Sequence, residues 1–155
     1  MLFGRRKQIV KRILIVEDEP LTAFENENVL GDAGYEIVAT VDDLDEALAV
    51  LDREKVDLIL SDVRLRDDQT GIHLATAARE RGVPTLFATG YAYPEACNIA
   101  VGCLMKPYTE RQLCKAIECV DRHLQGEKVK PPQGLELFVQ EDQQKQPRRP
   151  DSSQG

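Results

Sequence analysis

No stretch of this chain is long and apolar enough to cross a bilayer, which takes about 20 consecutive apolar residues. A secretory leader is missing as well. Met1 to Lys7 is short and basic, but the residues after it alternate between charged and apolar and supply no apolar centre or small-residue cleavage site. The expected setting is the cytoplasm, with no membrane contact. Positive charge is scarce: 20 Lys and Arg against 27 Asp and Glu leave a net charge of −7. Nucleic-acid phosphates are gripped by clustered Lys and Arg, so no nucleic-acid partner is expected. The basic clusters that exist, Arg5-Arg6-Lys7 and Arg148-Arg149, lie in the tails and read as solubilising ends. Cysteine chemistry is thin too. Cys97, Cys103, Cys114 and Cys119 form no Cys-x-x-Cys pair, and the two histidines complete no zinc ligand set, so buried, reduced thiols are expected.

What is present is one domain's worth of alternating structure. The chain has 155 residues, 42% hydrophobic and 30% charged, the profile of a soluble globular domain with tails. Five short apolar runs recur: Ile13 to Val16, Ile37 to Val41, Val56 to Leu60, Pro84 to Ala88 and Val101 to Met105. Runs apolar on both faces suggest strands of a parallel sheet covered on both sides. Helical segments lie between them. Pro20 suits the first turn of a helix running to about Asp32, with Gly34 as its stop, although Glu27 interrupts its apolar stripe. Asp42 or Asp43 can cap a second helix bearing Leu44, Ala47, Leu48 and Leu51. A third runs from about Gly71 to Arg81, and the last from Thr109 to about Leu124. The implied fold is a doubly wound α/β parallel sheet with right-handed crossovers. Only Tyr91 to Ala100 separates the fourth and fifth runs, near the ~10–12 residue minimum for a parallel connection, so that helix is expected to be short or missing.

The expected divisions are a basic extension over 1–10, a domain over 11–125 and a disordered tail over 126–155, with no second domain. Within the tail, Leu135 to Val139 forms an apolar island. It reads as a loose segment touching the domain, with a short docking strand or helix as the alternative.

In open α/β sheets, ligands bind beyond the carboxyl ends of the strands. Here those ends carry Glu17-Asp18-Glu19, Ser61-Asp62, Thr89-Gly90 and Lys106-Pro107. Three acids gathered at one edge repel one another and raise one another's pKa, a strain that a divalent cation relieves. An oxygen-only set of carboxylates suits Mg²⁺, which keeps several waters and awaits a phosphate oxygen. A carboxylate can attack phosphorus, and phosphoryl transfer needs mainly positioning and charge neutralisation. Asp62, alone at the end of the central run, is the candidate nucleophile. Glu17 and Asp18 are candidate metal ligands, Asp18 the more direct, with the Arg64 backbone carbonyl as a further one. Lys106 would bind one phosphoryl oxygen and the Thr89 hydroxyl another. Singly each residue has a plainer role, such as a helix cap for Glu17-Asp18. Four strand ends supplying complementary chemistry together favour the site.

Those residues also carry a resemblance. Ile15-Val16-Glu17-Asp18-Glu19-Pro20, Ser61 to Leu65, Thr89 and Lys106-Pro107 resemble the receiver domains of two-component response regulators over about residues 11–125. The resemblance implies a flavodoxin-like five-stranded parallel sheet in the order 2-1-3-4-5. It also implies Mg²⁺-dependent transfer of a phosphoryl group onto Asp62 from a sensor histidine kinase or histidine phosphotransferase, with output through protein contacts. Phe87-Ala88-Thr89-Gly90-Tyr91, with the shortened crossover, is similar to the single-domain F-A-T-G regulators of alphaproteobacterial stress signalling. One departure stands out. Receivers usually carry an aromatic switch residue three positions before the lysine, and here Cys103 holds that position. Tyr91 or Tyr108 is the expected substitute.

A downstream regulator protein is a further expected partner, and the alternative functions are a phosphate sink for a shared kinase and an aspartyl-phosphate phosphohydrolase. The last usually needs an acid two residues past the nucleophile, where this chain has Arg64. No enzyme beyond self-phosphorylation and slow self-dephosphorylation is expected.

Overall fold

The computed structural model describes residues 7–65, 71–91 and 94–139. The side chains of Glu95 and Cys97, the clusters at Arg5-Arg6 and Arg148-Arg149 and the tail from 140 lie outside the described residues. The strands are β1 (Arg12–Val16), β2 (Glu36–Val41), β3 (Leu58–Asp62), β4 (Thr85–Thr89), β5 (Gly102–Met105) and β6 (Leu135–Leu137). The helices are α1 (Pro20–Asp32), α2 (Leu44–Arg53), α3 (Gly71–Glu80) and α4 (Glu110–Leu124). The sheet runs β2-β1-β3-β4-β5-β6. Its first five strands pair in parallel, in the order the sequence implies.

Alternation along the strands divides the core. Ile13, Ile15, Leu58, Leu60, Leu86 and Leu104 pack on one face with Leu30 of α1 and Leu113, Ile117 and Val120 of α4. Leu14, Val16 and Ile59 pack on the other with Ala47 and Val50 of α2 and Leu74 and Ala78 of α3. Covering both faces is what makes these strands apolar throughout. At roughly 25 cal/mol per Å² of apolar surface removed from water, this two-sided burial is the main term holding the sheet.

The helices begin and end on local chemistry. Glu19 caps α1 by accepting from Thr22 N–H at 2.7 Å, which relieves Glu17 and Asp18 of that duty. Gly34, at φ 103°, turns the chain out of α1 in a conformation that side chains resist. The buried positions of α1 are Ala23, Asn26 and Leu30, while Phe24 and Leu21 face outward. Asp43 caps α2, and a reciprocal capping box between Thr109 and Gln112 starts α4. The fourth crossover is one short 3₁₀ turn, Pro94–Asn98.

Two acids clamp the start of β1. The Asp57 carboxylate accepts from the N–H groups of Lys11 at 3.0 Å and Arg12 at 2.8 Å. Buried Asp121 of α4 accepts from Ile9 at 3.0 Å and Val10 at 2.8 Å. The clamp explains why β3 starts two residues later than its apolar run suggests: Asp57 lies just outside the strand and faces the start of β1.

One expectation is corrected. Composition implies disorder from 126 onward, yet the chain holds defined structure to 139 and its apolar island contributes a sixth, antiparallel strand. Leu135 and Phe138 are buried, so a five-residue segment with four apolar side chains suffices when a sheet edge already stands ready to pair with it.

Candidate functional site

Strand parity decides which side chains meet at the carboxyl edge. Glu17 continues the parity of Ile13 and Ile15, Asp62 that of Leu58 and Leu60, and Lys106 that of Leu104. All three therefore emerge on the face shared with α1 and α4. The Lys106 ammonium donates to Glu17 Oε1 at 3.0 Å and to Asp62 Oδ2 at 3.2 Å. Carboxylate oxygens of Glu17, Asp18 and Asp62 lie within 4.8 Å of one another. Glu17 is buried, Asp62 half-buried and Asp18 exposed.

Burial pushes the Glu17 carboxyl above the ordinary range. The Asp62 charge adds to that, and the bond and charge of Lys106 pull it only part of the way back. For Lys106, burial disfavours the charge, but the bond to Glu17 and the charges of Glu17 and Asp62 outweigh it and hold the ammonium above an ordinary lysine. The cluster thus has more negative charge than Lys106 neutralises. Oxygen-only donors, carboxylate-rich and open on one side, fit Mg²⁺.

The remaining candidates fall around this centre. Arg64 follows β3 and is exposed, and its backbone N–H donates to Asp62 Oδ1 at 3.2 Å. Thr89 ends β4, buried, and its hydroxyl accepts from Tyr91 N–H at 3.2 Å. Its carbonyl accepts from Lys106 N–H at 2.9 Å, so Thr89 and Lys106 are joined by backbone. The Lys106–Pro107 peptide is cis. Tyr91 is 67% exposed. The Tyr108 hydroxyl donates to buried Asn26 at 2.9 Å, and burial raises its pKa. Cys103 is buried against Phe87, in no disulfide. His73 and His123 lie on α3 and α4, as their helical positions imply.

Sequence reasoning missed Gly71. A Cβ there would collide with the Asp62 carbonyl oxygen and come within 2.9 Å of Phe87. Its own N–H donates to the Val63 carbonyl. A glycine opening α3 shortly after Asp62 in the chain was the available signal: only Gly lets the helix start press on β3 at Asp62.

Comparison with known proteins agrees with this arrangement. The family model described as response regulator receiver domain matches residues 13–118. The transcriptional regulatory protein PdtaR of Mycobacterium tuberculosis is 31% identical over 116 residues, covering 71% of this chain and 56% of that protein. The chain thus spans about half the length of the curated relatives it matches. A CheY-like receiver domain structure from Methanospirillum hungatei superposes with TM-score 0.67 at 31% identity, covering 76% of this chain and 99% of that one. The solution structure of SdrG from Sphingomonas melonis gives TM-score 0.63 at 32% identity, covering 74% of this chain and 98% of that one. With its strand order, its acidic edge and the matched span in agreement, this chain belongs to the response regulator receiver domain family of two-component signalling.

Proposed function

We propose that this protein is a phosphorylation-controlled signalling module whose phosphoacceptor is Asp62. The observation that carries the reading is the Lys106 ammonium seated between Glu17 and Asp62, beside a cluster of three carboxylates. Glu17, Asp18 and Asp62, with the Arg64 backbone carbonyl, would hold Mg²⁺. Bound there, Mg²⁺ would neutralise carboxylate charge and phosphoryl oxygens.

The phosphodonor is the phosphohistidine of a sensor kinase or phosphotransferase. One Asp62 carboxylate oxygen attacks phosphorus, an O–P bond forms, the P–N bond breaks, and the imidazole nitrogen keeps the electron pair. Lys106 exchanges its carboxylate partners for a phosphoryl oxygen. The Thr89 hydroxyl turns from Tyr91 N–H to donate to another, and the shared Thr89–Lys106 backbone bond moves β4 and β5 together. Output passes through protein contacts at the β4–β5 end. Cys103 offers no ring to follow Thr89, and exposed Tyr91 is the better substitute, because Tyr108 is already bonded to Asn26.

The test is incubation with Mg²⁺ and acetyl phosphate, comparing wild type with Asp62→Ala on a phosphate-retarding gel. An acid-labile retarded band in wild type alone is expected. No band, or the same band in the variant, overturns the proposal.

A further inference from the structure

Beyond the five parallel strands the sheet carries antiparallel β6, and several features are matched to it. Gly102 of β5 sits opposite Leu137. A Cβ at Gly102 would lie 2.5 Å from the Glu136 carbonyl oxygen and 3.3 Å from Leu137 Cδ2. Glycine inside a strand weakens it, and here the reason for it is the close approach of a neighbouring backbone. Gly134, at φ 91°, makes the turn that delivers the segment. The ladder then extends past the strand at both ends: Met105 N–H donates to the Gly134 carbonyl at 2.8 Å, and Phe138 N–H to the Val101 carbonyl at 2.9 Å.

Side chains straddle the sheet edge. Leu135 and Leu137 pack on the face held by α4. Phe138 goes to the opposite face, among Val63, Ala75, Phe87, Ala96, Ala100 and Cys103. That pocket has two causes. The fourth crossover is a single 3₁₀ turn rather than a covering helix, and Cys103 is small where receivers carry a ring. Phe138 fills both deficits, on the same face of β4 and β5 from which Phe87 and Thr89 project. His123 of α4 adds a contact from its ring nitrogen to the Phe138 carbonyl at 3.3 Å.

We propose that Leu135–Phe138 is a displaceable strap on the β5 edge, released when Asp62 is phosphorylated. This rests on the reading of Asp62 as phosphoacceptor and names how that site is regulated. The only space between Asp62 Oδ2 and the Lys106 ammonium is a 3.2 Å hydrogen bond. A phosphoryl group built on Asp62 must enter there, which displaces Lys106 and strains the end of β5. The first strap bond, from Met105 N–H, is the adjacent residue's. A short edge strand held by few backbone bonds is the part of the sheet that yields at least cost. Release uncovers the β5 edge and the Phe138 pocket together, a surface shaped for an extended segment with apolar residues at the same spacing. Coupling of this kind is reciprocal, so loosening the strap must favour phosphorylation.

Backbone amide hydrogen exchange by NMR on the full-length wild-type protein, with and without Mg²⁺ and acetyl phosphate, tests the strap. Intact mass in parallel reports phosphorylation. The expected result is at least tenfold faster exchange at Phe138 and Met105 in the phosphoprotein, with Leu14 and Ile15 of β1 unchanged. Phosphoprotein with unchanged or slower exchange at Phe138 overturns the strap and leaves the phosphoacceptor reading intact. No phosphoprotein overturns that reading, and the strap with it. In a second arm, Gly102→Val evicts β6 sterically and is expected to raise the equilibrium affinity for the phosphoryl analogue beryllofluoride, with Mg²⁺ present, severalfold. An evicted β6 with an unchanged affinity contradicts the coupling, and if this variant fails to fold, the wild-type exchange decides alone.

Discussion

Lys106 reaches across the sheet edge to Glu17, a residue 89 positions away in the chain, and holds its Oε1 at 3.0 Å while keeping Asp62 at 3.2 Å. The nucleophile and its neighbour therefore share one cation before any phosphate arrives. Three carboxylates around one ammonium leave excess negative charge, and removing one should relieve it. Asp18→Asn is expected to raise the stability of the metal-free protein by about 1 kcal/mol, a modest value because Asp18 is exposed. The same variant should lose most of the stabilisation that Mg²⁺ gives wild type. Urea melts with and without Mg²⁺ measure both effects, and equal Mg²⁺ stabilisation in the two proteins would remove Asp18 from the ligand set.

Gly71 offers a steric test. Gly71→Ala drives a methyl group against the Asp62 carbonyl and Phe87, and should cost about 1–3 kcal/mol of stability. Gly31 of α1, where an added methyl group would meet nothing within 4 Å, is the control. Gly31→Ala should stabilise by up to about 1 kcal/mol through helix propensity. Opposite signs from two Gly→Ala changes on helices are the expected outcome of thermal or urea unfolding.

The Asp57 clamp predicts a pH dependence. Burial opposes its ionisation, but the bonds from Lys55, Arg12 and Lys11 outweigh burial and hold the carboxyl below its usual range. A depressed folded-state pKa means stability that is fully present above the unfolded value of about 4 and is lost as pH falls through the folded value. Asp57→Ala should therefore lower stability by on the order of 1 kcal/mol at neutral pH. The gap should close in acid. A gap that stays constant to the lowest pH at which the protein folds contradicts the ionic character of the clamp.

How much of this was legible in the sequence depends on what each residue's partner is. The five parallel strands and the site show in the sequence because each apolar run ends in its own chemistry, as with Leu60-Ser61-Asp62 and Leu104-Met105-Lys106. The clamps of Asp57 and Asp121 do not, because nothing local marks which distant N–H groups need an acceptor. Leu135 to Val139 was legible as apolar, with a docking strand only as the alternative reading. Its order comes from the free edge of β5, from Gly102 and from a pocket that exists only once the fourth helix is missing. Glu19, rather than Glu17 or Asp18, caps α1, which leaves the two site acids available.

Tyr91 and Tyr108 separate as switch candidates. Tyr91→Ala should alter phosphorylation-induced NMR shifts and shorten the phosphorylated lifetime, if the bulky ring two residues past Thr89 screens the acyl phosphate from water. Tyr108→Phe should leave that lifetime within about twofold and cost about 1–2 kcal/mol of stability, since buried Asn26 loses its donor. An unchanged lifetime in Tyr91→Ala assigns the switch elsewhere.

The central claim, that Asp62 accepts the phosphoryl group, is tested most directly by locating the acyl phosphate. Borohydride reduction of the phosphoprotein converts a phosphorylated aspartate to homoserine, which peptide mass mapping then places. The account predicts homoserine at position 62 and at no other acid. Homoserine at Asp18, at Asp42 or at no position would contradict it.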